Sequence, residues 1–335
     1  MPQLTRRSWL SLAAAAFPAG VFIAPAWAQS VRRPAVVNGR RYLQYDVFTD
    51  RPLAGNQLAV FMETAGLTAE QMQAMTRETK FSECTFVQPS EMAGTDVRLR
   101  IFGPANEMQF AGHPVIGSTF ALADDGVIKP GQKEFTFGLG IGPTLVELEW
   151  QGDRLQFAWM TQQKPVFGPT LNAPGPLAAA LGLEASAMRP GVPPQEVNCG
   201  SAFFMVPLAS RAAVDQAVVD IRAAAAVFEA AKITRRGLFI FSTEPGADGA
   251  TCYSRMMGAN EDPATGSASG PLGCYLVKHG LVPADKAGAI VSAQGVKMGR
   301  PSRIHIKIDL AGGEISRVRV GGTSVLVGEG RLRSN

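Results

Sequence analysis

One stretch of this chain occurs twice at a constant offset of 154 residues. Gly103-Pro104-Ala105-Asn106-Glu107-Met108-Gln109-Phe110-Ala111-Gly112-His113-Pro114 returns as Met257-Gly258-Ala259-Asn260-Glu261-Asp262-Pro263-Ala264-Thr265-Gly266-Ser267-Ala268. The register persists beyond it: Leu122 maps to Leu276 and Gly126 to Gly280. A gapless match with the same punctuation at both ends implies two copies of one supersecondary unit, packed about a pseudo-twofold axis. Two glycine-bearing loops then face each other across a cleft, where chemistry is to be sought.

A chain of 335 residues accommodates two domains. With 46% hydrophobic and 18% charged residues it can bury a sizeable core, and 36 glycines and 23 prolines favour turns and short strands over a helical bundle. The formal charge is +4. No basic tract carries interleaved aromatics, so nucleic-acid binding has no support. Three widely spaced histidines and four cysteines without a C-x-x-C pair make no metal-ligand cluster. Cys199, Cys252 and Cys274 read as small buried hydrophobes, and Cys84 stands out only for its neighbour Glu83.

The first residues read as an export signal. Arg6-Arg7 precedes an apolar run from Leu10 to about Ala24, and Ala26-Trp27-Ala28 offers a small-x-small cleavage site. The alternative is a membrane anchor, but Pro18, Gly20 and Pro25 interrupt the run. Residues 1–28 are therefore expected to be a twin-arginine signal peptide, with the mature protein in the periplasm and no stable membrane insertion after cleavage.

Thr68 and Gln71 form a capping box, placing a helix from about Ala69 to Thr79. Phe81–Val87 is a strand, and Val97, Leu99 and Ile101 alternate with arginines as a half-buried strand does. Helices are expected from Pro114 to about Asp125 and from Ser267 to His279, the first with proline at its start, both with glycine just past their ends. Both are apolar or small all round, so each belongs in the middle of something; a curved sheet wrapped around each central helix satisfies that. A further helix is expected at Ala212–Ala231, and Gln163–Pro176 reads as a linker. The domains expected are 41–160 and 177–320, each a half-barrel, with a C-terminal strand at 323–333 as a candidate to complete the first.

Helix N-termini leave backbone N–H groups unpaired and carry partial positive charge. Gly112-His113 and Gly266-Ser267 stand at two such ends and together suit a carboxylate; the alternative is that the glycines only allow close packing. His113 is biased neutral at a helix start and can donate to a substrate oxygen, or it merely caps. Asp262 reads as an N-cap or as a group for a substrate amine or proton transfer. Glu83 is a carboxylate in an apolar strand, and its counterpart at the repeat offset is Gly237. Burial among Phe81 and Phe86 would raise its pKa toward neutrality, as a group that takes and returns a proton requires. The alternative is a glutamate facing water. Gly138-Leu139-Gly140-Ile141-Gly142 lacks a nucleotide fingerprint and reads as a turn.

These residues resemble a known group. Tyr45-Asp46-Val47-Phe48 with Gly55-Asn56, Ser82-Glu83-Cys84-Thr85-Phe86-Val87, Gly112-His113-Pro114 and above all Glu261-Asp262-Pro263-Ala264-Thr265-Gly266-Ser267-Ala268 are similar to segments of the phenazine-biosynthesis PhzF-like isomerase family, over about Arg41 to Val327. The resemblance implies an α/β (α+β) protein of the diaminopimelate-epimerase-like fold: two pseudo-symmetric domains, each a curved, mostly antiparallel sheet around a central helix. It implies isomerisation without a cofactor, Glu83 moving a proton within a small cyclic substrate. His113, Asp262 and Ser267 would line the same cleft beside the backbone of Gly112 and Gly266. Related epimerases use two facing cysteines; near Ala111 and Pro263 there are none. A homodimer is a further implication. The family enzyme acts on a cytoplasmic intermediate, whereas this chain carries an export signal.

The expected function is thus a metal-free isomerase that moves a proton within a small carboxylate-bearing substrate. The rivals are a periplasmic small-molecule binding protein without catalysis and an amino- or hydroxy-acid epimerase with Glu83 and Asp262 as opposed bases.

Overall fold

The computed structural model describes residues 38–333 apart from Arg235 and Ala259. The export segment at 1–28 and the Ala259 position of the second repeat loop lie outside the described residues.

The first copy runs β1 (Arg40–Val47), β2 (Asn56–Phe61), α1 (Ala69–Thr79), β3 (Glu83–Pro89), β4 (Val97–Phe102), the two-residue β5 (Glu107–Met108), α2 (Gly112–Asp124), β6 (Glu134–Leu139), β7 (Gly142–Gln151) and β8 (Arg154–Gln162). β9 (Val166–Thr170) and α3 (Gly175–Ala180) lead into the second: β10 (Gln195–Asn198), β11 (Ala202–Pro207), α4 (Arg211–Gln216), α5 (Ile221–Ala230), β12 (Gly237–Ser242), β13 (Cys252–Met257), α6 (Gly266–Lys278), β14 (Ile290–Gln294), β15 (Ser302–Ala311), β16 (Glu314–Gly322), and finally β17 (Ser324–Leu332).

The pairings repeat. In the first copy β2 and β3 are parallel across α1, β4 and β6 are parallel across α2, and β6, β7 and β8 form an antiparallel meander. In the second, β11 and β12 are parallel across α4 and α5, β13 and β14 are parallel across α6, and β14, β15 and β16 form the meander. The copies join where their last strands, β8 and β16, pair antiparallel. The chain then exchanges strands: β9 pairs with β10, and β17 with β1. This is the diaminopimelate-epimerase-like architecture, a large curved sheet with few helices.

α2 and α6 start 154 residues apart, at Gly112 and Gly266, and each is buried along nearly its whole length. Small residues let the wall come close: a methyl on Gly273 would lie 2.5 Å from an Ile306 side-chain carbon. One apolar cluster surrounds α2, including Val115, Ile116 and Phe120 with Val47, Leu58, Val146 and Met160. Another surrounds α6, including Leu272, Cys274 and Tyr275 with Phe239, Phe241 and Ile306. No helix among the described residues is long and apolar enough to cross a membrane.

Two expectations change. The helix at Ala212–Ala231 is two helices, broken at Ala217–Asp220. Asp220 caps α5 by accepting from the N–H groups of Arg222 and Ala223, while Arg255 Nη1 donates to the carbonyls of Val214 (2.7 Å) and Ala217 (3.0 Å), closing α4. The stretch read as a linker contains β9, which pairs with β10 through residues as polar as Thr170 and so carried no apolar signal.

Candidate active site

Glu83 opens β3, where side chains alternate between faces. Thr85 hydrogen-bonds Ser118 of α2 at 2.9 Å, so Glu83 and Thr85 share the face toward α2. Cys84 and Phe86 point the other way, into a cluster with Met72 and Met75 of α1, and Cys84 meets Thr79 Oγ1 at 3.2 Å. The expectation that Phe86 desolvates Glu83 is therefore wrong. Glu83 instead lies against His113 in the first turn of α2 and feels the charge of Asp262 from the loop before α6, and its side chain keeps 16% of its exposure.

Both central helices begin without a side-chain cap, at Ala111 and Thr265. The two starts abut. A methyl on Gly112 would lie 2.4 Å from the Gly266 carbonyl carbon and from Ser267 N, and one on Gly266 would lie 3.1 Å from Gly112 Cα. Absence of a Cβ thus serves contact between the two backbones, while the free amides of both first turns remain donors. Gln162 of β8 fixes the second start, its Nε2 donating to the Gly266 carbonyl at 2.9 Å. Ser267 takes the position on α6 that His113 takes on α2 and is partly exposed.

Asn56, at the start of β2, ties the copies together. Its Nδ2 donates to Asp262 Oδ1 at 2.6 Å and to the Ala264 carbonyl at 3.0 Å, and it lies 3.1 Å from His113 Nδ1. Two amide hydrogens are satisfied by the two oxygens. The other Asp262 oxygen accepts from Thr265 Oγ1 at 2.6 Å, and Gln294 Nε2 donates to the Asp262 carbonyl at 2.8 Å. Asp262 is not the N-cap expected; Thr265 is.

His113 Nδ1 lies 3.1 Å from Glu83 Oε2. Glu83 Oε2 and His113 Nε2 are both buried with no hydrogen-bond partner among the described residues. Orphaned buried polar atoms are rare in folded proteins and call for an explanation. Burial, then the charge of Asp262, raises the Glu83 carboxyl to about 8. Burial raises Asp262 to about 6, against its hydrogen bonds from Thr265 and Asn56. Burial lowers His113 to about 3, with the Gln57 carbonyl pulling the other way, so the ring is neutral. Carboxylates with separated pKa values beside a neutral imidazole make a candidate site for proton transfer.

All six candidates from the sequence converge here: Glu83, His113 and Gly112 from the first copy, Asp262, Gly266 and Ser267 from the second. Asn56, Thr265 and Gln294 were missed as site residues. Asn56 carried a signal in its Gly-Asn turn, but nothing local tells a turn asparagine from a bridging one. Among the described residues no group of three or more His, Cys, Asp or Glu side chains is placed so that it could hold a metal ion.

Fold and site together define a duplicated α/β scaffold with buried acid/base groups at its seam. The chain belongs to the family described as phenazine biosynthesis-like protein, PhzC-PhzF, whose model matches residues 45–330. It is 34% identical to the trans-2,3-dihydro-3-hydroxyanthranilate isomerase of Pseudomonas aeruginosa over 87% of this chain and 98% of that one. It is 31% identical to the uncharacterized isomerase YddE of Escherichia coli K12, over 84% and 94% of the two chains. Among solved structures, a Bacillus anthracis PhzF-family protein aligns at a TM-score of 0.77 with 24% identity, over 88% of this chain and 99% of that one. A hydroxyproline epimerase from Agrobacterium vitis aligns at 0.56 with 12% identity, over 88% and 92%, which bears on the fold alone. The chain is an isomerase of this family.

Proposed function

We propose that this isomerase works without a cofactor and moves a proton between two carbons of a small, cyclic, carboxylate-bearing substrate. Ionised Glu83 takes a proton from one carbon and returns it to another, so atoms and electrons balance with no second reactant. The amides at the starts of α2 and α6 receive the substrate carboxylate. Neutral His113 hydrogen-bonds a substrate heteroatom, and ionised Asp262 holds an amine and keeps Glu83 basic. The observation that carries this reading is the unpartnered Oε2 of Glu83, buried 3.1 Å from His113 Nδ1 beside Asp262. The relatives named for trans-2,3-dihydro-3-hydroxyanthranilate make that compound the first candidate substrate. We also propose that the mature protein works in the periplasm, on the strength of Arg6-Arg7 and the apolar run behind it.

Incubating the protein in deuterated water with that compound and a panel of small cyclic carboxylates tests the reading. A rearranged product is the expected result, with deuterium at a ring carbon wherever the Glu83 carboxyl exchanges its proton with solvent between uptake and return. Binding with neither rearrangement nor deuterium uptake identifies a binding protein and overturns it; inversion at one carbon without rearrangement identifies an epimerase instead.

A further inference from the structure

The tripeptide Ala-Asn-Glu stands in both copies of the repeat, ending at Glu107 and Glu261, yet neither glutamate enters the chemistry above. Each is gripped by an arginine from the preceding strand. Arg100 of β4 donates from Nε and Nη2 to the two oxygens of Glu107 at 2.7 and 2.6 Å. Arg255 of β13 donates from the same atoms to Glu261 at 2.9 and 2.8 Å. The backbone repeats too: Met108 pairs with Ile101, and Asp262, its counterpart, bridges Met256. A bidentate fork fixes direction as well as distance. Both clamps therefore set the loop that feeds a central helix.

The second clamp is the more tightly held. The Arg255 side chain retains 8% of its exposure against 15% for Arg100, and its Nη1 is anchored on the carbonyls that end α4. Glu261 is the residue before Asp262. Building on the proton-transfer reading, we infer that Arg255 and Glu261 are positioning residues that hold the Asp262 carboxylate against Glu83. Among the described residues, the charged and titratable groups facing Glu83 are His113 from α2 and Asp262 from the loop before α6. His113 is neutral, so the position of Asp262 governs the charge that Glu83 feels.

The test is Glu261→Asp, which keeps the charge but shortens the reach by one methylene, together with Glu261→Gln. The readout is the titration midpoint of Glu83, followed by carbon-13 NMR of labelled glutamate carboxyls and assigned with Glu83→Gln. If the clamp positions Asp262, the midpoint falls by about one pH unit in Glu261→Asp. It falls at least as far in Glu261→Gln, where Arg255 loses its counter-charge. kcat drops about tenfold or more with KM within about threefold. Glu91→Gln, which breaks an exposed pair with Arg98, leaves the midpoint in place. Should Glu261→Gln fail to fold, Glu261→Asp decides alone. A purely structural clamp would lower Tm without moving the midpoint, and an unmoved midpoint in a folded variant overturns the inference. A midpoint that moves in a protein showing neither rearrangement nor deuterium transfer sinks the proton-transfer reading and leaves the clamp standing.

Discussion

A carboxyl raised to about 8 by burial and by the charge of Asp262 has a protonation state that follows its neighbour. Proton removal needs the ionised form, so kcat/KM is expected to rise with pH through about 8. Asp262→Asn removes the charge but not the burial, so the rising limb moves to lower pH while staying above the ordinary carboxylate value of 4.5. A limb unchanged in Asp262→Asn would separate the two residues electrostatically. The same shift bears on stability. A raised folded-state pKa gives stability that is whole below about 4.5 and lost as pH rises through about 8. Glu83→Gln should therefore leave stability at pH 5 nearly unchanged and increase it at pH 9 by on the order of a few kcal/mol, read from urea unfolding at both values. Glu83 was legible because an acid broke an apolar strand pattern. Its surroundings were misread because alternation sends Phe86 to the opposite face, and the enclosing residues come from loops far away in sequence.

At the scale of elements, the site exists because two uncapped helices meet start to start. Gly112→Ala would set a methyl 2.4 Å from backbone of the other helix, which cannot swing aside as a side chain can. The helices must part, so a loss of about 3 kcal/mol or more is expected, with loss of activity in the fraction that folds. An unchanged urea midpoint would show that the contact is dispensable. α2 and α6 were legible because helices made of small and apolar residues all round leave no solvent face. The break between α4 and α5 was not. Ala212–Ala231 is rich in alanine and favours one continuous helix, and what ends α4 is Arg255, which is distant in sequence. β9, β10 and β14 escaped notice because strands of 5, 4 and 5 residues carry little period-two signal.

Across the whole molecule, the duplicated pairings on either side of the β8–β16 seam bring groups from both copies to one point. The repeat offset was enough to read this much, because a gapless match preserves both helix starts. The reciprocal exchange of β9 and β17 was only half visible, as a candidate closing strand at the C-terminus. The acid proposed to shuttle the proton comes from one copy alone: the offset maps Glu83 onto Gly237, and each opens its strand. That asymmetry is the central claim, and it is tested most directly by deuterium transfer from solvent into substrate by Glu83→Gln beside the wild-type protein. The account predicts that the variant binds substrate with nearly unchanged affinity and transfers no deuterium. Transfer at the wild-type rate by the variant would contradict it.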